Sequence, residues 1–158
     1  MKTQWNWLAS LLAVCLASPA LAVDAPWRVT RSVAGNFDSV LRALVFAIEG
    51  KGLVISYQSH VAEMLDRTGK DIGGNAPLYK GARTLEFCSA TLSRAAMEAD
   101  IHAVLACPYK IAVYETSKEP GKVWLSYLKH SKTAPPAGQA SMLKVEQLLE
   151  EIVKEAVQ

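Results

Sequence analysis

The strongest constraint on the fold is that the chain alternates between two hydrophobic periods. Apolar residues recur every third or fourth position in some segments, as in amphipathic helices, and every second position in others, as in half-buried strands. The helical segments are 36–48, 59–65, 91–99 and 141–156, and the strand segments are 27–33, 53–57, 84–88, 109–113 and 123–128. The order β-α-β-α-β-α-β-β-α predicts a two-layer α+β domain: a single, largely antiparallel sheet covered by helices, with a C-terminal helix.

The first helix should supply much of the core. Its apolar residues are expected to pack on those of the central strands: Phe37, Leu41, Leu44 and Ile48 against Ile55, Leu85, Phe87, Ile111 and Val113. Tyr109, Trp124 and Tyr127 are expected at the surface.

Residues 1–22 are typical of a signal peptide. Lys2 precedes a short apolar run, and Ala20-Leu21-Ala22 predicts cleavage before Val23, so the protein is expected in the periplasm or otherwise exported. The alternative is a lipoprotein acylated at Cys15, which the bulky Val14 disfavours.

The rest of the chain divides into a single α+β domain over 23–130, a Pro/Gly linker over 131–140 and the C-terminal helix over 141–158. No second apolar stretch is long enough for a transmembrane span. The net charge is only +2 and the Lys and Arg residues form no basic stripe, so nucleic acid is not expected as a partner. An envelope protein of unknown identity is the expected partner, and the oligomeric state is open.

The residues with the widest range of possible chemistry are Cys88 and Cys107, which are nineteen residues apart. In an exported protein such a pair can form a disulfide, bind a soft metal or cycle between redox states, and the sequence leaves these alternatives open. His60 and Met64 are four residues apart in a predicted helix and would share a face. Together with the cysteines they form a soft ligand set, which could hold copper or non-covalent haem.

No catalytic residue is predicted, because the chain has no C-x-x-C, C-x-x-C-H, Gly-rich phosphate loop or G-x-S-x-G motif. Enzymatic activity is therefore not expected. Taken singly, His60 is more simply a residue at a helix start, and Met64 more simply a core residue.

A set of segments spans about residues 30–128: the run from Asn36-Phe37 through Gly52-Leu53-Val54, then Tyr79, Phe87-Cys88, Ala95-Ala96, Leu105-Ala106-Cys107 and Ile111-Ala112-Val113-Tyr114-Glu115. Together these segments resemble the family catalogued as domain of unknown function 302. The resemblance implies an amphipathic first helix, one cysteine at the end of a strand, a second cysteine opening another strand, and a terminal helix. This chain has Ser89-Ala90 where the family often has Asn-Pro, and Pro108 follows the second cysteine instead of preceding it.

Two functions follow as hypotheses. The first is a small binding module of the bacterial envelope, which holds a soft metal, haem or thiol-reactive ligand at Cys88, Cys107 and His60. The second is a non-catalytic structural or accessory protein, in which a Cys88–Cys107 disulfide stabilises a domain that docks to a partner.

Overall fold

A computed structural model describes residues 21–22, 24–74 and 76–158. Its sheet is antiparallel throughout, with spatial order β1-β2-β6-β5-β4-β3. The strands are β1 (Leu21–Ala22), β2 (Arg28–Ala34), β3 (Ile55–His60), β4 (Tyr79–Phe87), β5 (Tyr109–Thr116) and β6 (Lys122–Leu128). The five longer strands confirm the predicted antiparallel sheet, and β5 and β6 form the predicted hairpin.

Over the residues that the structure describes, four α-helices and three short 3-10 helices connect or follow these strands. The α-helices are α1 (Phe37–Gly50), α2 (Val61–Gly69), α3 (Ala90–Ala99) and α4 (Pro136–Ala156). The 3-10 helices span Lys70–Ile72, Ile101–Ala106 and His130–Lys132. At the start of α1, the Asn36 side chain accepts hydrogen bonds from the backbone N–H groups of Asp38 and Ser39, which caps the helix as its sequence predicts. The α+β class is confirmed.

The core lies between the sheet and helices α1 and α4. Of the strand residues that the first helix was expected to pack against, all but Ile55 are in it, and they form one buried cluster with the apolar face of α4. Leu41 and Ile55 are partly buried against this cluster, and the other predicted core residues are buried: Phe37, Leu44, Ile48, Leu85, Phe87, Ile111 and Val113.

The C-terminal helix begins at Pro136, five residues before the predicted Ser141, so part of the predicted linker is helical. The consecutive residues Pro135 and Pro136 had suggested that no helix covers this segment. Proline fits the first turn of a helix, however, because that position needs no backbone N–H donor. Further along α4, the Glu150 carboxylate binds Arg31 of β2 at 3.0 Å and accepts a hydrogen bond from the Tyr127 hydroxyl at 2.7 Å. These contacts tie α4 to the sheet, and Tyr127 is buried, against the prediction.

The predicted signal peptide lies outside the described residues except for Leu21–Ala22, which pair with β2. Cys15 also lies outside them. Export therefore stays a prediction. No helix in the described part of the chain has both the length and the apolar character that a bilayer crossing requires.

Candidate functional site

The two cysteines meet because their strands are neighbours. Phe87, the last residue of β4, pairs with Tyr109, the first residue of β5. Cys88 follows Phe87 and Cys107 lies two residues before Tyr109, so both reach the same end of the sheet. Their Cα atoms are 6.2 Å apart and their sulfurs form a disulfide. Helix α3 and the 3-10 helix Ile101–Ala106 form the loop that this disulfide closes.

The two sulfurs have different surroundings. Cys88 is exposed, whereas Cys107 is half-buried. Ser93 of α3 places its Oγ 3.6 Å from Cys107 Sγ, and the same oxygen lies 3.0 Å from the Tyr109 hydroxyl oxygen. Burial raises the pKa of Tyr109, so its phenol stays protonated and can donate to Ser93. The Ser93 hydroxyl is then free to donate to the Cys107 sulfur.

His130 lies beside this hydrogen-bonded chain. Its ring centroid is 6.2 Å from that of Tyr109, and its Nε2 atom is buried without a hydrogen-bond partner among the described residues. Burial lowers the pKa of His130, and the nearby Glu146 carboxylate opposes this shift only in part. The imidazole is therefore neutral near neutral pH.

A cavity of about 300 Å³ lies next to the cysteine loop. Leu105 and Ala106, which directly precede Cys107, line one side, and His130 and Met142 contribute other parts of the lining. This space could hold a small molecule beside the disulfide.

We expect the stability of the protein to fall as the pH is lowered from about 7 to about 5, and His130 to contribute to this fall. The folded-state pKa of His130 lies below its ordinary value of 6.5, so the unfolded chain binds a proton first. The contribution of His130 to the free energy of unfolding is therefore fully present above pH 6.5, and it declines as the pH falls toward the folded-state pKa. Urea unfolding of the wild type and of His130→Gln at about pH 7 and about pH 5 measures this contribution.

His102→Gln is the matched control, since His102 is an exposed histidine that lines the same cavity. It should keep the wild-type pH dependence, whereas His130→Gln should lose part of it. Equal pH dependence in all three proteins would contradict the assignment.

His60 and Met64 do not join the cysteines. His60 ends β3 and pairs with Arg83, five residues before Cys88, which separates the two ends by about 17 Å along the strand. The His60 side chain is 61% exposed and lies 3.7 Å from the Glu63 carboxylate, and Met64 is 41% exposed. The predicted four-residue set is therefore not assembled.

The reason is a boundary between secondary structures. The sequence suggested a helix from Ser59, but the ladder with β4 extends through His60 and the helix begins at Val61. Within the described ranges, no group of three or more His, Cys, Asp or Glu side chains is placed to hold a metal ion.

Sequence reasoning missed Ser93, Tyr109 and His130. Tyr109 was expected at the surface and is buried, and His130 was not among the predicted site residues. Two signals were available. Tyr109 follows Cys107 by two residues at a strand start, and Ser93 is a polar residue one helical turn after the capping Ser89.

The comparisons with known proteins agree with this fold. The family model DUF302, Domain of unknown function DUF302, matches residues 29–156. An uncharacterized conserved DUF302 protein from Bacillus stearothermophilus, solved by crystallography, superposes with a TM-score of 0.70 and covers 84% of this chain and 99% of its own. At 18% identity this likeness shows the fold alone. None of the curated proteins compared with the chain matches it. The extent of the family match shows that the chain belongs to the DUF302 family.

Proposed function

We propose that this protein is a small exported module of the bacterial envelope whose Cys88–Cys107 disulfide exchanges reversibly with thiols. The observation that carries the proposal is the asymmetry of the two sulfurs. Cys88 is exposed to an incoming thiolate, and Cys107 lies next to a hydroxyl donor that would stabilise it as the leaving thiolate. Exposed disulfides are more readily reduced than buried structural ones.

The exchange has two steps. The thiolate of a small thiol or a dithiol protein attacks Cys88 Sγ, so that a mixed disulfide forms and the Cys88–Cys107 bond breaks. The electron pair of that bond leaves on Cys107 Sγ, where the Ser93 hydroxyl donates a hydrogen bond. A second thiolate then attacks the reductant's sulfur in the mixed disulfide and releases Cys88 as a thiolate. Two electrons pass to the protein, and the reductant leaves as its own disulfide.

The surroundings of Cys107 favour this direction of attack. Tyr109 donates to Ser93, which orients the Ser93 hydroxyl toward the sulfur. Ser93 and Tyr109 are both buried, so the hydrogen bonds of this chain are stronger than they would be in water. The adjacent cavity gives the apolar body of a small thiol a place to lie.

The copper and haem versions of the binding hypothesis have less support. A soft metal would need both cysteines reduced and a further ligand nearby. His60, the predicted third ligand, ends β3 and pairs with Arg83, about 17 Å along the strand from Cys88.

The structural alternative has one observation in its favour. The 3-10 helix that precedes Cys107 exposes three apolar side chains, Ile101, Val104 and Leu105, as a docking segment would. The two hypotheses differ in whether the disulfide opens under native conditions, which a thiol count in glutathione buffers decides.

Replacing Ser93 by alanine tests the exchange mechanism. Without the hydroxyl, the Cys107 thiolate loses a charge-assisted hydrogen bond, so the reduced form becomes less stable. We expect the midpoint potential to become more negative by roughly 30–60 mV. We also expect slower reaction with excess glutathione. Alkylation of the free thiols followed by mass spectrometry measures both.

Ser141→Ala is the matched control. Ser141 lies on α4, and its hydroxyl donates a hydrogen bond to the Ala95 carbonyl of α3, the helix that also contains Ser93. It makes no hydrogen bond to either sulfur. Its potential should equal that of the wild type. If Ser93→Ala also left the potential unchanged, Ser93 would have no role in the exchange.

A further inference from the structure

The other face of the sheet contains a groove whose lining includes neither cysteine. Along β5, Ile111 and Val113 point into the core, whereas Lys110, Ala112 and Tyr114 alternate with them and point to the opposite face. A groove of about 530 Å³ lies there, within the range of small-molecule sites. It crosses residues of β2, β6, β5 and β4.

Aromatic rings and hydroxyls make up much of the lining. Trp27 and Tyr79 belong to the walls, and Tyr79 meets Tyr114 edge to face at 5.9 Å. On the floor, the Ser126 hydroxyl bonds both Tyr114 at 3.1 Å and Thr30 at 2.9 Å. These polar groups satisfy one another, so the rings are left as the contact surface for a flat apolar molecule.

The cations of the lining differ in whether a carboxylate neutralises them. Arg83 pairs with Glu63, and Lys110 pairs with Glu86 at 3.1 Å. Arg28 has no carboxylate partner within the described ranges. Its guanidinium stacks over Trp27 at 4.8 Å, and its Nε donates to Thr30 at 3.2 Å. These contacts hold the group in place while its terminal nitrogens stay available for an anion.

We propose that this groove binds a small organic anion with a flat apolar body, such as an aromatic carboxylate. Arg28 binds the carboxylate, and the ring lies against Trp27 and Tyr79. The inference is independent of the disulfide chemistry, because the groove and the cysteines share no residue.

Calorimetry with naphthalene-2-carboxylate and its uncharged carboxamide tests the proposal on the full chain. The carboxylate should bind more tightly than the carboxamide. Arg28→Gln should weaken carboxylate binding about tenfold and leave carboxamide binding nearly unchanged. Trp27→Ala should weaken both ligands. Arg42→Gln, an exposed arginine on α1, is the matched control and should change neither.

Three results would overturn the proposal. The first is equal binding of the two ligands, the second is unchanged carboxylate binding in Arg28→Gln, and the third is no binding of either ligand to the wild type. The comparison of the two ligands uses the wild type alone, so it holds even if a variant fails to fold.

Discussion

Leu44→Ala is expected to lower the free energy of unfolding by about 2–5 kcal/mol. Leu44 lies on the buried face of α1 and is completely inaccessible to solvent. It belongs to the cluster in which α1 and α4 meet the sheet, so removing three carbons leaves a cavity that the surrounding elements cannot easily fill. Denaturant titration followed by circular dichroism gives the change.

Phe46→Ala on the same helix is the control. Phe46 is 73% exposed, so a larger side chain is removed at little cost, and we expect a change below about 0.5 kcal/mol. A loss below about 0.5 kcal/mol in Leu44→Ala would show that this face of α1 is not in the core.

Replacing both Cys88 and Cys107 by serine is expected to cost about 3 kcal/mol of stability. The cysteines are 19 residues apart, and the bond restricts the unfolded chain over that loop. The fold should survive, because the core cluster contains neither cysteine. The variant should therefore unfold cooperatively at a lower denaturant concentration.

Reduced wild-type protein provides the control for the serine substitutions. Its stability should match that of the double variant, since both lack the same bond. A double variant as stable as the oxidised wild type would contradict a disulfide that constrains the unfolded chain.

Much of the fold follows from local patterns. The apolar period of 36–48 and the cap at Asn36 predict α1, and the alternation around Ile111 and Val113 predicts β5. These signals are reliable because one side of each element is buried in a single core.

The sequence predicts less well where a pattern changes from one period to another. His60 could continue a strand or begin a helix, and pairing with Arg83 on β4 determines which. The burial of Tyr109 and Tyr127 depends likewise on which face of the sheet α4 covers, and a strand pattern alone does not specify this.

The candidate site was predictable only in part. Cys88 follows β4 and Cys107 precedes β5, and these two strands pair, so the proximity of the cysteines follows from topology. Ser93 lies on helix α3 and His130 on the 3-10 helix His130–Lys132, and only tertiary packing brings both to Tyr109.

The midpoint potential of the Cys88–Cys107 pair tests the central claim most directly. The protein would be equilibrated in glutathione and dithiol buffers, alkylated, and analysed by mass on the peptides that carry the two cysteines. Reversible exchange predicts a single two-electron transition above roughly −300 mV, with both thiols alkylated in the folded, reduced protein. A midpoint potential below roughly −300 mV in the folded protein would contradict the claim and favour a purely structural disulfide.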